Sequence, residues 1–313
     1  MSNSENPKVF IPSKLKLLKK VAKGSFGCVY DATYKNIPVV VKSSLEEKKN
    51  MMLVKEYKYL KILQSNNFCG IPKLSYTFTK HGKRCFIMEK LGIDLSRLVK
   101  KATNKQFSLQ TTLKIALQVL ERLKYVHSCG ITHNDIKSSN LITGPNNKIN
   151  FINKIYLIDF GAATSYLNEG DHILETKADR IRGTWRYCSV NSLKRRSLSR
   201  RDDLESLAYL LVKLRSGKLP WDALLRNKMI PENKRTEKLL GYKSVPAKYI
   251  CVGMEDEFKL FLDEVRKLGF TEKPDYDKYH KRFEKLLNEV GSKADEPIDW
   301  SFNSHKPLCV LSE

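Results

Sequence analysis

The chain has 313 residues, 41% of them hydrophobic, and its 57 Lys and Arg against 34 Asp and Glu give a net charge of +23. This length predicts one large domain or two lobes, and no apolar run approaches the roughly 20 residues of a membrane span. The positive charge favours acidic partners such as ATP, acidic or phosphorylated peptides, or nucleic acid, although we interpret most of the lysines as solvated surface.

The N-terminus and the cysteines indicate an intracellular protein of the cytoplasm or nucleus. Residues 1–7 have neither the basic start nor the apolar stretch of a secretory signal. The seven cysteines are scattered and form no C-x-x-C pair. We therefore expect reduced thiols, and neither a disulfide framework nor a zinc site.

The N-terminal part predicts short strands around a glycine turn. After a lead-in over residues 1–13, strands over 17–22 and 28–31 flank the turn Lys23–Gly27. Glycine lets backbone N–H groups approach phosphates, because no side chain stands in the way. A plain hairpin is the alternative.

A buried strand and a helix follow. The valines at 39–41 predict the strand, which ends at Lys42. The helix over 52–63 carries Glu56 in its middle. Glu56 is the natural partner of Lys42 if that lysine reaches phosphates, and two solvated charges are the alternative.

The second part is predicted to be mainly helical. A strand over 85–88 ends in a break at 89–92, which we interpret as a hinge between lobes. The helix over 111–127 is apolar nearly all round and should be buried. Further helices are predicted at 94–99, at 204–214, and around 258–265 and 279–290.

The motif His133–Asn140 carries the chemistry. Asp135, with Asn140 five residues on and Asp159 after a short strand over 155–158, supplies what metal-assisted phosphoryl transfer needs. One carboxylate accepts the proton of the attacking hydroxyl, and an amide oxygen and a second carboxylate hold the metal ions. The motif alone is also compatible with an ordinary turn.

The segment over 162–189 lacks periodicity and is too long for a simple connection, so we interpret it as functional. It carries Arg182 and Arg186, and the basic run Lys194–Arg201 follows it. These cations are a solvated basic surface, a nuclear-import run, or a subsite for phosphate or carboxylate.

Taken in order, these motifs resemble those of the eukaryotic protein kinases. Gly24–Val29 resembles the phosphate flap, Val39–Lys42 the strand with the ATP-binding lysine, and Asp159–Gly161 the metal motif. Within that superfamily the chain is most similar to the casein kinase 1 family. The residues that carry this similarity are Gly70–Pro72, Gly183-Thr184, Arg186-Tyr187, Ser189–Asn191, Ser199–Ser206, Leu219–Trp221, Lys273–Tyr276 and Asp299-Trp300.

Two departures from the kinase pattern stand out. Ala22 replaces the first flap glycine, and Asn134 replaces the arginine usual in H-R-D. No arginine therefore stands ready at that position to pair with an activation-loop phosphate. Asn134 and the pair Ser138-Ser139 also resemble the vaccinia-related kinase branch, which is our second assignment.

The resemblance implies an α+β, bilobal protein-kinase fold. A small β-rich N-lobe is expected over 14–91, a larger, mainly helical C-lobe over 92–300, and a short tail over 301–313. A monomer is expected. ATP and Mg²⁺ are the implied cofactors, and nucleic acid is the less favoured partner.

The resemblance also implies a serine/threonine kinase with Asp135 as catalytic base and Lys137 neutralising the transferring phosphoryl group. Asn140 and Asp159 hold Mg²⁺. Thr184 and Arg186 bind the substrate, and Arg186 takes a phosphate N-terminal to the target serine, so acidic or phospho-primed proteins are the expected substrates. The implied nucleotide-binding positions are Ala22, Lys23, Gly24, Ser25, Phe26, Gly27, Val29, Val40, Lys42, Glu56, Met88, Glu89, Leu91 and Ile142.

Two other functions compete with this one. A small-molecule kinase of the aminoglycoside or choline type shares the central motif, but it lacks the glycine flap and the pair Gly183-Thr184. The other is a catalytically silent binding or scaffold protein, for example one on nucleic acid. Such a relative usually loses the residues that match Lys42, Asp135 or Asp159, all of which this chain retains.

Overall fold

The computed structural model describes residues 12–24, 27–65, 68–145, 153–298 and 300. Most of the predicted lead-in, Ser25 and Phe26 of the flap, Asp299 and the tail over 301–313 lie outside the described residues. The chain forms two compact units. The first runs to Leu91 and includes Ile158–Gly161, and the second contains Gly92–Leu157 and the chain from Ala162 onward.

The first unit is built on a five-stranded antiparallel sheet with the strand order β1-β2-β3-β5-β4. Its strands are β1 (Leu15–Lys23), β2 (Gly27–Tyr34), β3 (Ile37–Ser44), β4 (Leu74–Lys80) and β5 (Lys83–Glu89). β4 has no counterpart among the predicted strands, although apolar and polar residues alternate along its sequence LSYTFTK. Phe78 is its one buried side chain.

One face of this sheet forms a core. Its buried members alternate along each strand, as the two-residue period of a strand requires, and they are Ala32, Val39, Val41, Phe78, Cys85 and Ile87. Helix α1 (Asn50–Leu63) packs against β3 and β5 and buries Leu53, Leu60 and Leu63 together with Glu56. A carboxylate among leucines requires a partner.

The second unit is mainly helical, with its core between four helices. α3 packs against α5 and α10, and α5 packs against α9. The helices are α2 (Leu95–Lys101), α3 (Leu109–Ser128), α4 (Val190–Leu193), α5 (Arg200–Ser216), α6 (Asp222–Arg226), α7 (Glu232–Ser244), α8 (Ala247–Ile250), α9 (Asp256–Lys267) and α10 (Tyr276–Glu289).

The described part of the second unit also contains six short strands in the chain between α3 and α4. They pair as β6 with β9, β7 with β8 and β10 with β11. Their bounds are β6 (Ile131–Thr132), β7 (Leu141–Thr143), β8 (Ile155–Leu157), β9 (Thr164–Ser165), β10 (Leu167–Asn168) and β11 (Asp171–His172). β9, β10 and β11 lie within residues 162–189, the segment whose sequence shows no periodicity.

Local signals explain the helix ends. Ser108 caps α3 by accepting the N–H of Thr111 at 3.1 Å, and Ser199 and Asp202 form a capping box at the start of α5. Gly217 ends α5 in the left-handed conformation, at φ 71°. α5 therefore begins four residues before the predicted Leu204, because its first turn is polar and stabilised by the cap.

The predicted α+β, bilobal fold class is confirmed. α6, α7 and α8 have no predicted counterpart, since α7, the longest of them, buries only Leu239 and Lys243 and shows little amphipathic pattern. The described cysteines are free thiols. Among the described residues, no helix combines the length and apolar character needed to span a bilayer.

Candidate active site

In the first unit, Lys42 joins two carboxylates. Its Nζ lies 2.7 Å from Glu56 Oε1 and 2.7 Å from Asp159 Oδ1. β3 supplies the lysine and α1 the glutamate, while Asp159 follows β8 with φ 66°, in the left-handed region. Glu56 is the partner that the sequence predicts for Lys42.

Burial and charge act in opposite directions on this group. Burial lowers the pKa of Lys42, but the charges of Glu56 and Asp159 outweigh it and hold the pKa above its ordinary value. Burial, reinforced by the charge of Asp159, raises the pKa of Glu56 to about 7 even though Lys42 lowers it. Because Lys42 stays charged, its ammonium is held where α1 and β3 meet.

Three of the predicted nucleotide-binding residues share the sheet face of Lys42. Val29 is paired with Lys42, and Val40 is paired with Met88. Since alternate residues of a strand share a face, these side chains lie opposite the core, and Val29, Val40 and Met88 are only half-buried. The unit therefore presents a partly apolar face beside its lysine.

The remaining predicted nucleotide positions are less uniform. The N–H of Glu89 donates to the Lys73 carbonyl at 2.9 Å, so a ligand bond from this residue must use its carbonyl. Leu91 ends the first unit, whereas Ile142 lies on β7 in the second.

The described part of the flap is a strand pair closed by glycines. Ala22 and Lys23 pair with Val29 and Cys28, and the N–H of Gly24 donates to the Gly27 carbonyl at 2.8 Å. A Cβ at Gly27 would lie 2.6 Å from the Ser43 carbonyl oxygen. Glycine is thus required at 27 by β3 itself, a reason that the sequence motif does not reveal.

In the second unit, three side chains converge on Asp135. Lys137 Nζ lies 2.5 Å from Oδ2, and the N–H and Oγ1 of Thr184 donate to Oδ1 at 2.9 and 2.7 Å. The amide of Asn140 donates to the Asp135 carbonyl at 2.9 Å. The carboxylate is therefore fixed in orientation, and Thr184, predicted to bind the substrate, contacts Asp135 and also lies 3.3 Å from Lys137.

A buried carboxylate outside the motif holds this loop. Asp203, on α5, accepts the backbone N–H of His133 and of Asn134, each at 2.7 Å. His127 Nε2 lies 2.9 Å from the same carboxylate, and its Nδ1 lies 2.6 Å from the Tyr276 hydroxyl. Three helices thus meet at the backbone of the motif His133–Asn140.

Asn134 suits its backbone position. Its φ is 65°, a left-handed value that asparagine tolerates better than most residues. Its amide donates to Thr164 Oγ1 at 2.8 Å. A Cβ at Gly183 would lie 2.5 Å from the Asn134 carbonyl oxygen, so the segment carrying Thr184 approaches the loop closely only with glycine there.

The segment after Thr184 is held by two side chains that sequence reasoning missed. Lys243 is buried and donates to the carbonyls of Trp185 and Cys188 at 3.0 and 2.5 Å. Burial lowers the pKa of Lys243. Asp222 binds Arg186 Nε at 2.8 Å and also pairs with Lys213 at 2.6 Å. Neither residue belongs to a short motif, so only the fold reveals them.

Each unit carries one of the oxygen ligands that the sequence predicts for a divalent cation. No group of three or more His, Cys, Asp or Glu side chains in the described ranges could hold a metal by itself. In the second unit, Asn140 donates to the Asp135 carbonyl through its amide nitrogen, so its amide oxygen is the atom that could bind a metal. In the first unit, the side chain of Asp159 is 38% exposed. Mg²⁺ typically takes one or two carboxylates together with substrate phosphates.

Comparison with known families gives one match that covers most of the chain. The family model described as the protein kinase domain matches residues 15–276. The match includes both units and every predicted site residue. Proteins of this family use ATP and a divalent metal.

We predict that Asp203→Asn lowers the free energy of unfolding of the second unit. The change removes a buried charge that accepts two backbone N–H groups, and breaking a buried pair costs about 3–5 kcal/mol of unfolding free energy. Burial raises the pKa of Asp203, but the hydrogen bond and charge of His127, with His133, hold it below its usual range. This stabilisation is therefore present above about pH 3.9 and is lost as the pH falls through the lowered pKa.

Urea denaturation between pH 3 and 8 tests this prediction, with the exposed Asp295→Asn as control. The difference in unfolding free energy between wild type and Asp203→Asn should be largest near neutral pH and should become smaller below about pH 4. Equal stability of the two proteins at pH 7 would contradict the assigned role.

Proposed function

The chain belongs to the protein kinase family, and we propose on that premise that it transfers the γ-phosphoryl group of ATP to serine or threonine hydroxyls of proteins. The observation that carries the proposal is the contact set of Asp135, whose two oxygens are held by Lys137 and Thr184. A lysine two residues after the aspartate follows the serine/threonine pattern of the kinases that this chain resembles.

The proposed chemistry is positioning and charge neutralisation. Asp135 accepts the proton of the substrate hydroxyl, since its carboxylate is fixed by Thr184 and Lys137. Lys137 balances negative charge on the transferring group. Lys42, held by Glu56, orients the α- and β-phosphates, and a divalent metal held by Asn140 and Asp159 neutralises phosphate charge when bound.

Val29, Val40 and Met88 are the proposed adenine contacts of the first unit, with Ile142 of the second unit. The support is the partly apolar face that these three side chains form beside Lys42. The flap over 22–27 covers the phosphates in this proposal, and the carbonyl of Glu89 and the backbone of Leu91 bind the adenine edge. Casein kinase 1 is the proposed branch, with the vaccinia-related kinases second.

The proposed substrates are acidic or phosphorylated proteins. Arg186 is the residue proposed to bind the phosphate, and its side chain is 36% exposed. Asp222 contacts Nε of Arg186 at 2.8 Å. The two terminal nitrogens of the guanidinium are the donors that a phosphate takes in a bidentate contact, and Asp222 would hold them in place.

We predict that Lys42, Asp135 and Asp159 are all required for turnover. Purified protein with Mg-ATP and casein should incorporate phosphate on serine or threonine. Asp135→Asn should lower the rate by on the order of 10² or more, because a positioned base is lost, and Asp159→Ala and Lys42→Met should also inactivate the enzyme. The exposed Asp295→Asn serves as control, and wild-type activity in Asp159→Ala would overturn the site assignment.

We predict activity without phosphorylation of the activation segment. Asn134 offers no guanidinium fork for a phosphate that orders the segment, and Lys243 and Asp203 hold the segment and the loop from the core. Protein made in bacteria and treated with phosphatase should retain its rate on casein. Strict dependence on an upstream kinase would refute this prediction.

We predict that Arg186→Ala selectively weakens primed substrates. The kcat/KM for a peptide with phosphoserine before the acceptor should fall roughly 10- to 100-fold, as for loss of a charge-assisted pair. The loss on the matched unprimed peptide should be much smaller. Arg186→Lys keeps the charge without the guanidinium fork, so its kcat/KM for the primed peptide should lie between those of wild type and Arg186→Ala. Equal losses on both peptides would show that Arg186 only supports the fold.

A further inference from the structure

A second cationic site lies in the second unit, separate from Arg186. A cavity of about 410 Å³ is lined by Lys177, Arg182 and Arg196. Asp179 also lines it, which leaves an excess of two positive charges, and the hydroxyls of Thr176 and Ser197 are among the lining groups. The two hydroxyls lie 2.8 Å apart and bond each other, so the cationic side chains are the donors that suit a doubly charged anion.

The backbone forces two of the cations together. Lys177 and Arg196 face each other in an antiparallel bridge. The flanking bonds run from the Ala178 N–H to the Arg195 carbonyl at 2.7 Å and from the Ser197 N–H to the Thr176 carbonyl at 2.8 Å. This pattern makes Lys177 and Arg196 a non-hydrogen-bonded pair, the type with the closer side chains, and like charges placed so are destabilising.

No described carboxylate forms an ion pair with Lys177, Arg182 or Arg196. Arg182 is nonetheless held firmly, since its N–H donates to the buried Ser192 Oγ at 3.0 Å and Ser192 Oγ donates back to its carbonyl at 2.7 Å. Arg195, next to Arg196, has a left-handed φ of 54°. Such unfavourable arrangements persist where the surroundings impose them, often at binding sites.

The cavity lies close to Asp135. Arg182 precedes Thr184 by two residues, a Cα span of at most about 7 Å, and Thr184 contacts Asp135 directly. Thr164, another lining residue, accepts the amide of Asn134, the neighbour of Asp135. An anion in the cavity would therefore lie roughly two to four residues of extended chain from an acceptor hydroxyl.

We propose that this cavity binds a phosphoserine or phosphothreonine of a protein substrate, as a second phosphate subsite distinct from Arg186. A phosphorylated side chain brings a charge of about −1.5 to −2 and three acceptor oxygens, which matches the excess charge and the donors of the cavity. The proposal rests on the protein kinase activity proposed above, and it assigns that activity to substrates carrying phosphate at a further position.

Fluorescence anisotropy without ATP tests the site independently of catalysis. The protein is first treated with phosphatase, so that its own Thr176 and Ser197 carry no phosphate. Labelled peptides with one serine acceptor and phosphoserine two, three or four residues to either side are compared with their unphosphorylated forms. At least one phosphopeptide should bind about 10- to 100-fold more tightly, as expected for a charge-assisted contact.

Matched variants separate the cavity from bulk charge. Lys177→Gln/Arg182→Gln/Arg196→Gln should abolish the preference. Lys194→Gln/Arg180→Gln/Arg195→Gln removes the same charge from exposed neighbours outside the cavity lining and should retain it. Arg186→Gln should weaken phosphopeptide binding. In that background the cavity variant should still bind the phosphopeptide less tightly than the control variant.

Each result decides the proposal. Equal phosphopeptide binding by the cavity variant and wild type, or equal loss in both triple variants, would overturn it. So would cavity-dependent binding of a single-stranded oligonucleotide or of inorganic phosphate with no preference for phosphopeptide. Phosphopeptide binding in a protein without phosphotransfer to any peptide would refute the proposed kinase function and leave the subsite in place.

Discussion

The second unit depends on one buried carboxylate. Asp203 lies among the apolar residues of α5 with its side chain 1% exposed, where an unpaired charge would be strongly unfavourable. It is stable there because the N–H groups of His133 and Asn134 and the ring of His127 all bind it. The same bonds fix the backbone on which Asp135 stands, so the packing of the core and the geometry of the site have a common cause.

The segment after Thr184 is also anchored by a buried charge, and here the charge is positive. Lys243 is a buried cation, and its ammonium is satisfied by two carbonyls of that segment and lies over the rings of Tyr209 and Trp221. A buried ammonium needs such acceptors as much as a buried carboxylate needs donors. Loop and segment are therefore both anchored to helices of the core, and Gly183 allows them to approach.

The positive charge of the chain has several different roles once it is placed in the structure. Lys42 and Lys243 are buried and fully engaged by partners. Arg186 is paired with Asp222, whereas Lys177 and Arg196 face each other across an antiparallel bridge. The net charge of +23 therefore says little about function by itself, and the position of each cation says much more.

By itself, the sequence determined the fold class, and it predicted the residues that we propose carry the chemistry. Its evidence is a set of local patterns: the buried helix around Leu120, the valine strand before Lys42 and the spacing of Asp135 to Asn140. Each pattern is visible within a short window of sequence. α7 escaped prediction because it buries only Leu239 and Lys243, so its sequence shows little amphipathic pattern. β4 was also missed, although apolar and polar residues alternate along it.

Only the tertiary structure decided which distant residues meet. Asp203 reaches the backbone of residue 133 from 70 positions away, and Lys243 reaches Cys188 across 55. No short window of sequence contains such pairs. The structure also divided the basic cluster, since Arg196 faces Lys177 and lines the cavity with it, whereas Lys194 lies outside that lining. Side-chain partners across a fold follow from how the backbone packs, and that depends on the whole core at once.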